Sequence, residues 1–180
     1  MSLDRVIDSM NTEQLDHIAT QIKTIRIAMR RVKLARTMYG AVDGGPFRNH
    51  YYPSFLFPKA AFSTAGEFLD HFRRILLLFC TNKFTEGLLS EFPRNAPTVF
   101  THGDLVPPNI MVDGTTITGI IDWATAGFYP EYWEMARMRN PGYMTANWVY
   151  ILDKMYPNER TREREINAVN RLVSVFAATF

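Results

Sequence analysis

Three oxygen-bearing side chains stand close together in the segment THGDLVPPNIMVDGTTITGIIDW, which begins at Thr101: Asp104, Asn109 and Asp122. Phosphoryl transfer needs such groups, because a carboxylate orients the attacking hydroxyl while hard oxygen ligands hold Mg²⁺ on the phosphates. Together with His102, the first two residues fill the pattern H-x-D-x-x-x-x-N of a kinase catalytic loop. The spacing therefore indicates phosphotransfer chemistry.

The third of these residues, Asp122, occupies the place where kinases carry a magnesium-binding Asp, after the next hairpin. Asp113 and Gly114 form a strong two-residue hairpin signal. Since two short antiparallel strands return the chain to its starting end, we expect the hairpin to bring Asp122 back beside Asn109. Taken singly, each residue is also a common turn former or strand-entry residue, but the ordered set favours an active site.

The elements that must position this site are predicted to be mainly helices. Apolar residues recur at gaps of three and four from Leu15 to Val32, which predicts a long amphipathic helix capped by Asn11, with Gln14 reaching back. Glycines and a proline within 40–46 are expected to open a loop that runs to about Pro58. Further helices are predicted at Glu67–Cys80 (with Phe79 on the buried side), at a shorter piece through Leu89, at Trp148–Met155 and at Ile166–Phe180.

Strands are predicted in one region only. The apolar segments Thr98–Thr101, Ile110–Val112 and Thr116–Asp122 are typical of short strands, and after Gly127 the chain is expected to become helical again, with Pro130 in the first turn. The predicted fold class is mainly α with a small β-hairpin, an α+β fold. We expect one domain over 1–180, helical at 1–95, with the catalytic loop and hairpin at 96–128 and further helices at 129–180.

The motifs HGDLVPPNI, from His102, and GIIDWATAGFYPEYWEMA, after the hairpin, resemble the aminoglycoside phosphotransferase family, in particular its fungal members. The resemblance covers most of the chain and implies the C-terminal lobe of a protein-kinase-like fold. It implies that Asp104 is the catalytic base, that His102 braces the loop, and that Asn109 and Asp122 bind Mg²⁺. The implied cofactors are ATP and Mg²⁺, and the implied substrate is a small molecule with a hydroxyl group.

A Gly-rich phosphate loop and a strand-borne Lys, which a kinase also needs, are not visible in the sequence. No G-x-G-x-x-G spacing occurs, and no lysine follows a V-A-I-like strand. The N-terminal lobe is therefore expected to be absent, and a homodimer or the missing lobe is expected to cover the exposed face. Two functions stay open: a phosphotransferase lobe that is inefficient alone, or a non-catalytic or repurposed lobe that binds a small molecule or partner or catalyses other chemistry.

Aromatic and acidic residues that follow the motif have two interpretations. Trp123, Phe128 and Tyr129 could line an apolar substrate pocket, and Glu131 and Glu134 could bind a cationic substrate. Aromatic residues dominate core burial, however, and carboxylates are favoured near helix N-termini by the helix dipole. The sequence favours the core interpretation for the rings and does not separate the two for the carboxylates.

Composition and charge exclude several classes of protein. The chain has 20 basic and 18 acidic residues, a balance that indicates neither a nucleic-acid nor a membrane partner. The single cysteine, Cys80, lies in an apolar run and is interpreted as a small buried hydrophobe. Because an intrachain disulfide would need a second cysteine, we expect a reducing, cytoplasmic location. No segment approaches the roughly 20 apolar residues that span a bilayer.

Overall fold

The computed structural model describes residues 1–33, 38–47, 53–157 and 162–179 and shows the predicted α+β fold. The helices are α1 (Thr12–Arg30), α2 (Ala65–Leu76), α3 (Asn82–Leu89), α4 (Trp133–Met138), α5 (Ala146–Met155) and α6 (Glu163–Thr179). The strands are β1 (Gly40–Ala41), β2 (Thr98–Thr101), β3 (Ile110–Asp113), β4 (Thr116–Ile120) and β5 (Gly127–Pro130). In the described part of the chain, no helix has the length and apolar character needed to cross a membrane.

Helix α1 begins as the sequence predicts. The Asn11 side chain accepts a hydrogen bond from the Gln14 amide at 3.0 Å, and the Gln14 side chain accepts one from the Asn11 amide at 2.8 Å. This reciprocal cap satisfies two amides that have no partner within the helix. The helix ends at Arg30, before the apolar pattern does, and Val32 is exposed rather than buried. The inner face of α1 packs against α5 and the β3–β4 hairpin.

The predicted hairpin is confirmed. Strands β3 and β4 pair antiparallel, with Ile110 opposite Ile120, and the turn at Gly114 has a φ of 58°. A register shift between Met111 and Val112 marks a bulge in β3. The pairing returns the chain after β4 to the level at which β3 began, as the catalytic interpretation requires.

Strand β5 lies where the sequence predicts a helix, so that prediction is wrong. Residues Gly127–Pro130 form the middle strand of an antiparallel sheet with the order β1, β5, β2. All four residues are buried, and a strand buried on both faces shows no alternation of polar and apolar residues. A Cβ atom on Gly127 would lie 2.5 Å from the Gly40 carbonyl oxygen, so the close pairing of β5 with β1 requires glycine. Helix α4 begins only at Trp133.

Two apolar clusters fill the interior. The aromatic core joins α2, α3, α4, α6 and β5, and in it Trp133 stacks on Phe72 with ring centroids 6.0 Å apart and on Tyr129 at 5.2 Å. The second cluster joins the N-terminal residues, α1, the hairpin and α5 around the fully buried Trp148. The predicted catalytic loop lies where elements of both clusters meet, because β2 pairs with β5 and the loop then runs into β3.

Helix α2 ends at Leu76, four residues earlier than predicted. The Cys80 amide donates to the Leu76 carbonyl at 2.7 Å and closes the turn that follows the helix. Phe79, predicted to be buried, is 49% exposed, and Leu77 and Leu78 are exposed beside it. Cys80 is half-buried against the aromatic core, whereas the sequence indicated full burial. The helical spacing of apolar residues therefore predicts burial correctly up to Leu76, where the helix ends, and not beyond it.

Helices α3, α5 and α6 confirm the remaining helix predictions. The buried face of α6 includes Ile166, Val169 and Phe176, and Val173 is half-buried on the same side. The prediction for Phe180 lies outside the described residues.

His71 on α2 couples stability to pH. The side chain is 7% exposed and lies between Phe62 and Phe72, with ring centroids 5.3 and 5.9 Å away. Burial, followed by the charge of Arg74, lowers the pKa of His71 to about 4. The unfolded chain therefore binds a proton near pH 6.5 that the folded chain does not, and stability is lost as pH falls from about 6.5 towards 4.

We expect His71→Leu to remove most of this loss, which is about 2 kcal/mol between pH 7 and pH 4.5 in the unmodified chain. Urea unfolding at the two pH values measures it. His17→Leu, at an exposed position on α1, is the matched control. An equal loss of stability in the His71 variant and in the unmodified chain would show that another group causes it.

Candidate active site

The catalytic loop leaves β2 at Thr101 and turns sharply at Gly103. The φ of Gly103 is +85°, and a Cβ atom there would lie 2.8 Å from both the carbonyl oxygen and the hydroxyl of Thr125. The Thr125 hydroxyl donates to the His102 carbonyl at 2.9 Å and fixes the same turn from the other side. Only glycine fits both this backbone conformation and the space available.

Glu134, at the start of α4, holds the backbone of this turn. Its side chain is buried, and its two carboxylate oxygens accept hydrogen bonds from the amides of His102 at 2.6 Å and Gly103 at 3.1 Å. Burial raises the pKa of Glu134 above its ordinary range, and the two amide donors oppose that rise. In this position Glu134 braces the loop, and a buried carboxylate with both oxygens bound to loop amides does not fit the cationic-substrate role that the sequence leaves open for it. The signal available in the sequence was a carboxylate inside the apolar run FYPEYWEMA.

Asp104 is the carboxylate that the loop presents. One oxygen accepts a hydrogen bond from the Arg137 guanidinium at 3.3 Å and the other accepts one from the Asn109 side-chain amide at 3.1 Å. The Arg137 side chain is 6% exposed and that of Asp104 is 18% exposed, so the ion pair is shielded while the carboxylate still reaches solvent. No motif in the sequence marks Arg137, which lies one helical turn after Glu134 on α4.

Asn109 is oriented by the same contacts. Its amide nitrogen donates to both the backbone and the side-chain oxygen of Asp104, at 2.9 and 3.1 Å. Because the nitrogen faces Asp104, the amide oxygen is left as the group that could bind a cation. The Asn109 carbonyl accepts from the Ile121 amide at 3.0 Å, so residues 109 and 121 are neighbours. The predicted return of the hairpin to Asn109 is confirmed at the level of the backbone.

Asp122 follows directly and has a left-handed backbone, with φ 60° and ψ 64°. It is the one described non-glycine residue with a positive φ. Such a conformation costs on the order of 1 kcal/mol or more and persists where the surroundings demand it, often at a functional site. The Asp122 side chain is exposed, and its charge lies close enough to His102 to influence the pKa of that ring.

His102 joins the loop to the end of β4. Its Nδ1 accepts a hydrogen bond from the Asp104 amide at 3.3 Å, which leaves Nε2 to donate to the Ile121 carbonyl at 3.0 Å. Burial lowers the pKa of His102, although the Ile121 carbonyl and the carboxylates of Asp104 and Asp122 oppose the change. A neutral imidazole with both nitrogens in use fits the predicted bracing role and does not fit that of a free acid or base.

The two residues of this site predicted to bind a metal ion, Asn109 and Asp122, would bind it through oxygen atoms. Among the described residues, no three His, Cys, Asp or Glu side chains lie close enough to share a metal ion. Asn109 and Asp122 offer one amide oxygen and one carboxylate, the hard donors that Mg²⁺ prefers when phosphate and water complete its shell. The donor set at this site therefore suits a cation that arrives with a phosphorylated ligand.

The three rings predicted to line a pocket separate into two groups. Phe128 and Tyr129 are 4% and 1% exposed and belong to the core, whereas Trp123 is 42% exposed beside the loop. The Trp123 ring lies 4.5 Å from that of His102, and its indole nitrogen donates to the Ile120 carbonyl at 2.9 Å. Glu131 forms an ion pair with Arg162. The buried rings thus follow the core interpretation, while Trp123 presents a rigid aromatic face to solvent.

Comparison with known proteins identifies the family of this chain. The model of the APH family, described as the phosphotransferase enzyme family, matches residues 33–165, well over half of the chain. The chain therefore belongs to the phosphotransferase enzyme family.

One known protein is similar to part of the chain, and one solved structure is similar to most of it. An aminoglycoside 3'-phosphotransferase of Niallia circulans is 38% identical over 58 residues, which are 32% of this chain and 22% of that protein. A solved structure of a thermostable aminoglycoside phosphotransferase APH(4)-Ia mutant, in a ternary complex with ADP and hygromycin B, superposes with a TM-score of 0.61 at 15% identity. The superposition covers 94% of this chain but 58% of that protein, so the chain spans little more than half of its structural neighbour.

Proposed function

We propose that this fold carries the catalytic loop of an ATP- and Mg²⁺-dependent phosphotransferase that modifies a hydroxyl group of a small molecule. The single observation that supports it best is the arrangement of Asp104, Asn109 and Asp122 near His102: hydrogen bonds hold Asp104 and Asn109, and the charge of Asp122 lies close enough to influence the pKa of His102. The chain's family supports the reaction class. The structural neighbour, which is bound to ADP and hygromycin B, supports a nucleotide and a small acceptor.

In this proposal Asp104 orients the acceptor hydroxyl and receives its proton. Arg137 holds one carboxylate oxygen and keeps Asp104 pointing towards solvent, where an acceptor could approach. Asn109 and Asp122 would hold Mg²⁺, which neutralises charge on the nucleotide phosphates when bound. Glu134 and Gly103 fix the loop so that these groups need little rearrangement before transfer, and such preorganisation is a large part of phosphotransfer catalysis.

Two finer parts of the proposal rest on the motif HGDLVPPNI and its continuation. The first is that the chain belongs to the fungal-type branch of the family. The second is that its fold corresponds to the lobe that bears the catalytic loop. A homodimer or a second lobe over the face that carries Trp123 would shield the nucleotide site from water. The exposed indole and its neighbour Ile121, 47% exposed, are the apolar surface such a partner would cover.

A second candidate function is binding without transfer. It is favoured by one observation: both carboxylate oxygens of Asp104 already accept hydrogen bonds, from Arg137 and from Asn109. A carboxylate held in this way is well suited to a structural role. The proton acceptor of a transfer reaction needs a lone pair directed at the acceptor hydroxyl; each Asp104 oxygen has a second lone pair, whose direction these two hydrogen bonds restrict.

Calorimetric titration with Mg-ATP tests the proposal. We expect binding that disappears when EDTA removes Mg²⁺ and that weakens about tenfold or more in Asp122→Asn, because a neutral amide attracts the cation less than a carboxylate does. Asp113→Asn, at the exposed tip of the hairpin, is the matched control and should bind as the unmodified chain does. Absence of any Mg²⁺-dependent nucleotide binding would contradict the proposed function.

A further inference from the structure

A cavity of about 550 Å³ lies on the outer side of α2, and none of the described residues that line it belongs to the predicted catalytic loop. Its walls are formed by residues 55–62 and by the outward face of α2 with the turn after it. We call it the α2 pocket. The residues that define its character are Phe55, Lys59, His71, Arg74, Ile75 and Leu78. Its volume falls within the roughly 300–1,000 Å³ typical of small-molecule sites.

The charged side chains of the α2 pocket are of one sign. Lys59 and Arg74 are both exposed, and neither forms an ion pair with another residue in the described part of the chain. None of the described residues that line it is acidic. The neighbouring Arg73, by contrast, binds both Asp70 and Glu86. The rim of the pocket is therefore complementary to an anionic group.

The walls of the α2 pocket are apolar and open to solvent. Phe55 is 78% exposed and Leu78 is 61% exposed, although both are large apolar residues. Behind them, Phe62 and Ile75 are buried and form an apolar floor. Exposed apolar residues that occur singly need no explanation, but a concave group of them beside two cations is typical of a binding site.

We propose that the α2 pocket binds a small amphipathic carboxylate, with its apolar chain between Phe55 and Leu78 and its carboxylate between Lys59 and Arg74. The wall excludes water from the apolar chain, and the two cations select the charge of the head group. The site shares no residue with the catalytic loop, so it is independent of phosphoryl transfer.

Binding of decanoate, below its critical micelle concentration, tests this site. We expect decanoate to bind more tightly than decyltrimethylammonium by about tenfold, and added salt to reduce the difference, because the two cations are exposed and are screened. Isotope-edited NMR of the unmodified chain should show the largest shifts for amides of α2 and residues 55–62. Shifts centred elsewhere, or equal affinity for the two amphiphiles, would overturn the proposal.

Two pairs of variants distinguish binding in this pocket from nonspecific binding to the protein surface. Lys59→Glu should weaken decanoate binding about fivefold or more, whereas Lys83→Glu, on the exposed face of α3, should leave it unchanged. Leu78→Ser should weaken it severalfold, whereas Leu77→Ser, an exposed neighbour outside the pocket, should not. Equal effects within either pair would show that decanoate binds the surface without using this pocket.

Discussion

Asp104→Asn is expected to lower the rate of ATP-dependent phosphoryl transfer by about 10²- to 10⁴-fold, the range over which a positioned general base contributes. The substitution keeps the size and shape of the side chain. The amide oxygen of Asn can still accept the hydrogen bond of Arg137, but the side-chain bond from Asn109 is lost. The Asn109 amide keeps its bond to the backbone carbonyl of residue 104, which should hold the loop in place. The proton acceptor is lost, however, because an amide does not take up the proton of the acceptor hydroxyl near neutral pH.

The measurement is transfer of labelled γ-phosphate from ATP to a panel of small hydroxyl compounds, with urea unfolding run in parallel. Asp113→Asn serves again as the control, since Asp113 is exposed in the hairpin turn and touches no part of the loop. If Asp104→Asn retained full activity, the assignment of the base would be wrong. If the unmodified chain bound Mg-ATP but transferred nothing to water or to any acceptor, the non-catalytic candidate would be favoured.

The parts of the site that the sequence predicts correctly depend on short chain distances. His102, Asp104 and Asn109 lie within eight residues, and a two-residue turn leaves the hairpin little freedom in where it returns. The capping box of α1 is equally local. In these cases the identity of a few neighbouring residues decides the backbone, and the functional atoms follow from it.

The parts that the sequence does not predict depend on distant contacts. Glu134 lies 32 residues after His102, and the sequence around Glu134 does not indicate that its carboxylate will accept hydrogen bonds from two loop amides. Arg137 is similarly distant from Asp104. Strand β5 was missed for a related reason: its partner β1 is a two-residue strand far away in the chain, and the glycines that allow their approach are not adjacent. Local patterns carry no information about such pairings.

Helix α4 and the β3–β4 hairpin contribute different parts of the site. Helix α4 supplies Glu134 and Arg137, one fixing the backbone of the loop and the other fixing its carboxylate. The hairpin supplies Asn109 and Asp122, one from each end. A defect in α4 should therefore disturb the base, whereas a defect in the hairpin should disturb the cation site. The two kinds of defect can be distinguished by measuring Mg-ATP binding separately from transfer.

Glu134→Gln is expected to lower the free energy of unfolding by about 3 kcal/mol and to reduce transfer further than the loss of folded protein explains. Each oxygen of Glu134 accepts a backbone hydrogen bond, and Gln can replace only one of them. The other backbone amide would then face the NH2 group of Gln, which is also a donor. A buried polar group without a partner costs about 1–3 kcal/mol, and more where a charge took part in the lost bond. Since the loop amides belong to His102 and Gly103, the same change should loosen Asp104.

Urea unfolding at pH 7 gives the stability change, and transfer assayed well below the unfolding midpoint gives the effect on the site. Glu131→Gln is the control: it lies three residues earlier and pairs with Arg162, and loss of that partly exposed ion pair should cost no more than about 1 kcal/mol. Equal destabilisation by the two variants would mean that the bonds from Glu134 to the loop contribute nothing beyond an ordinary ion pair. Helix α4 would then only pack beside the loop, and the geometry of Asp104 would have to depend on Arg137 and Asn109 alone.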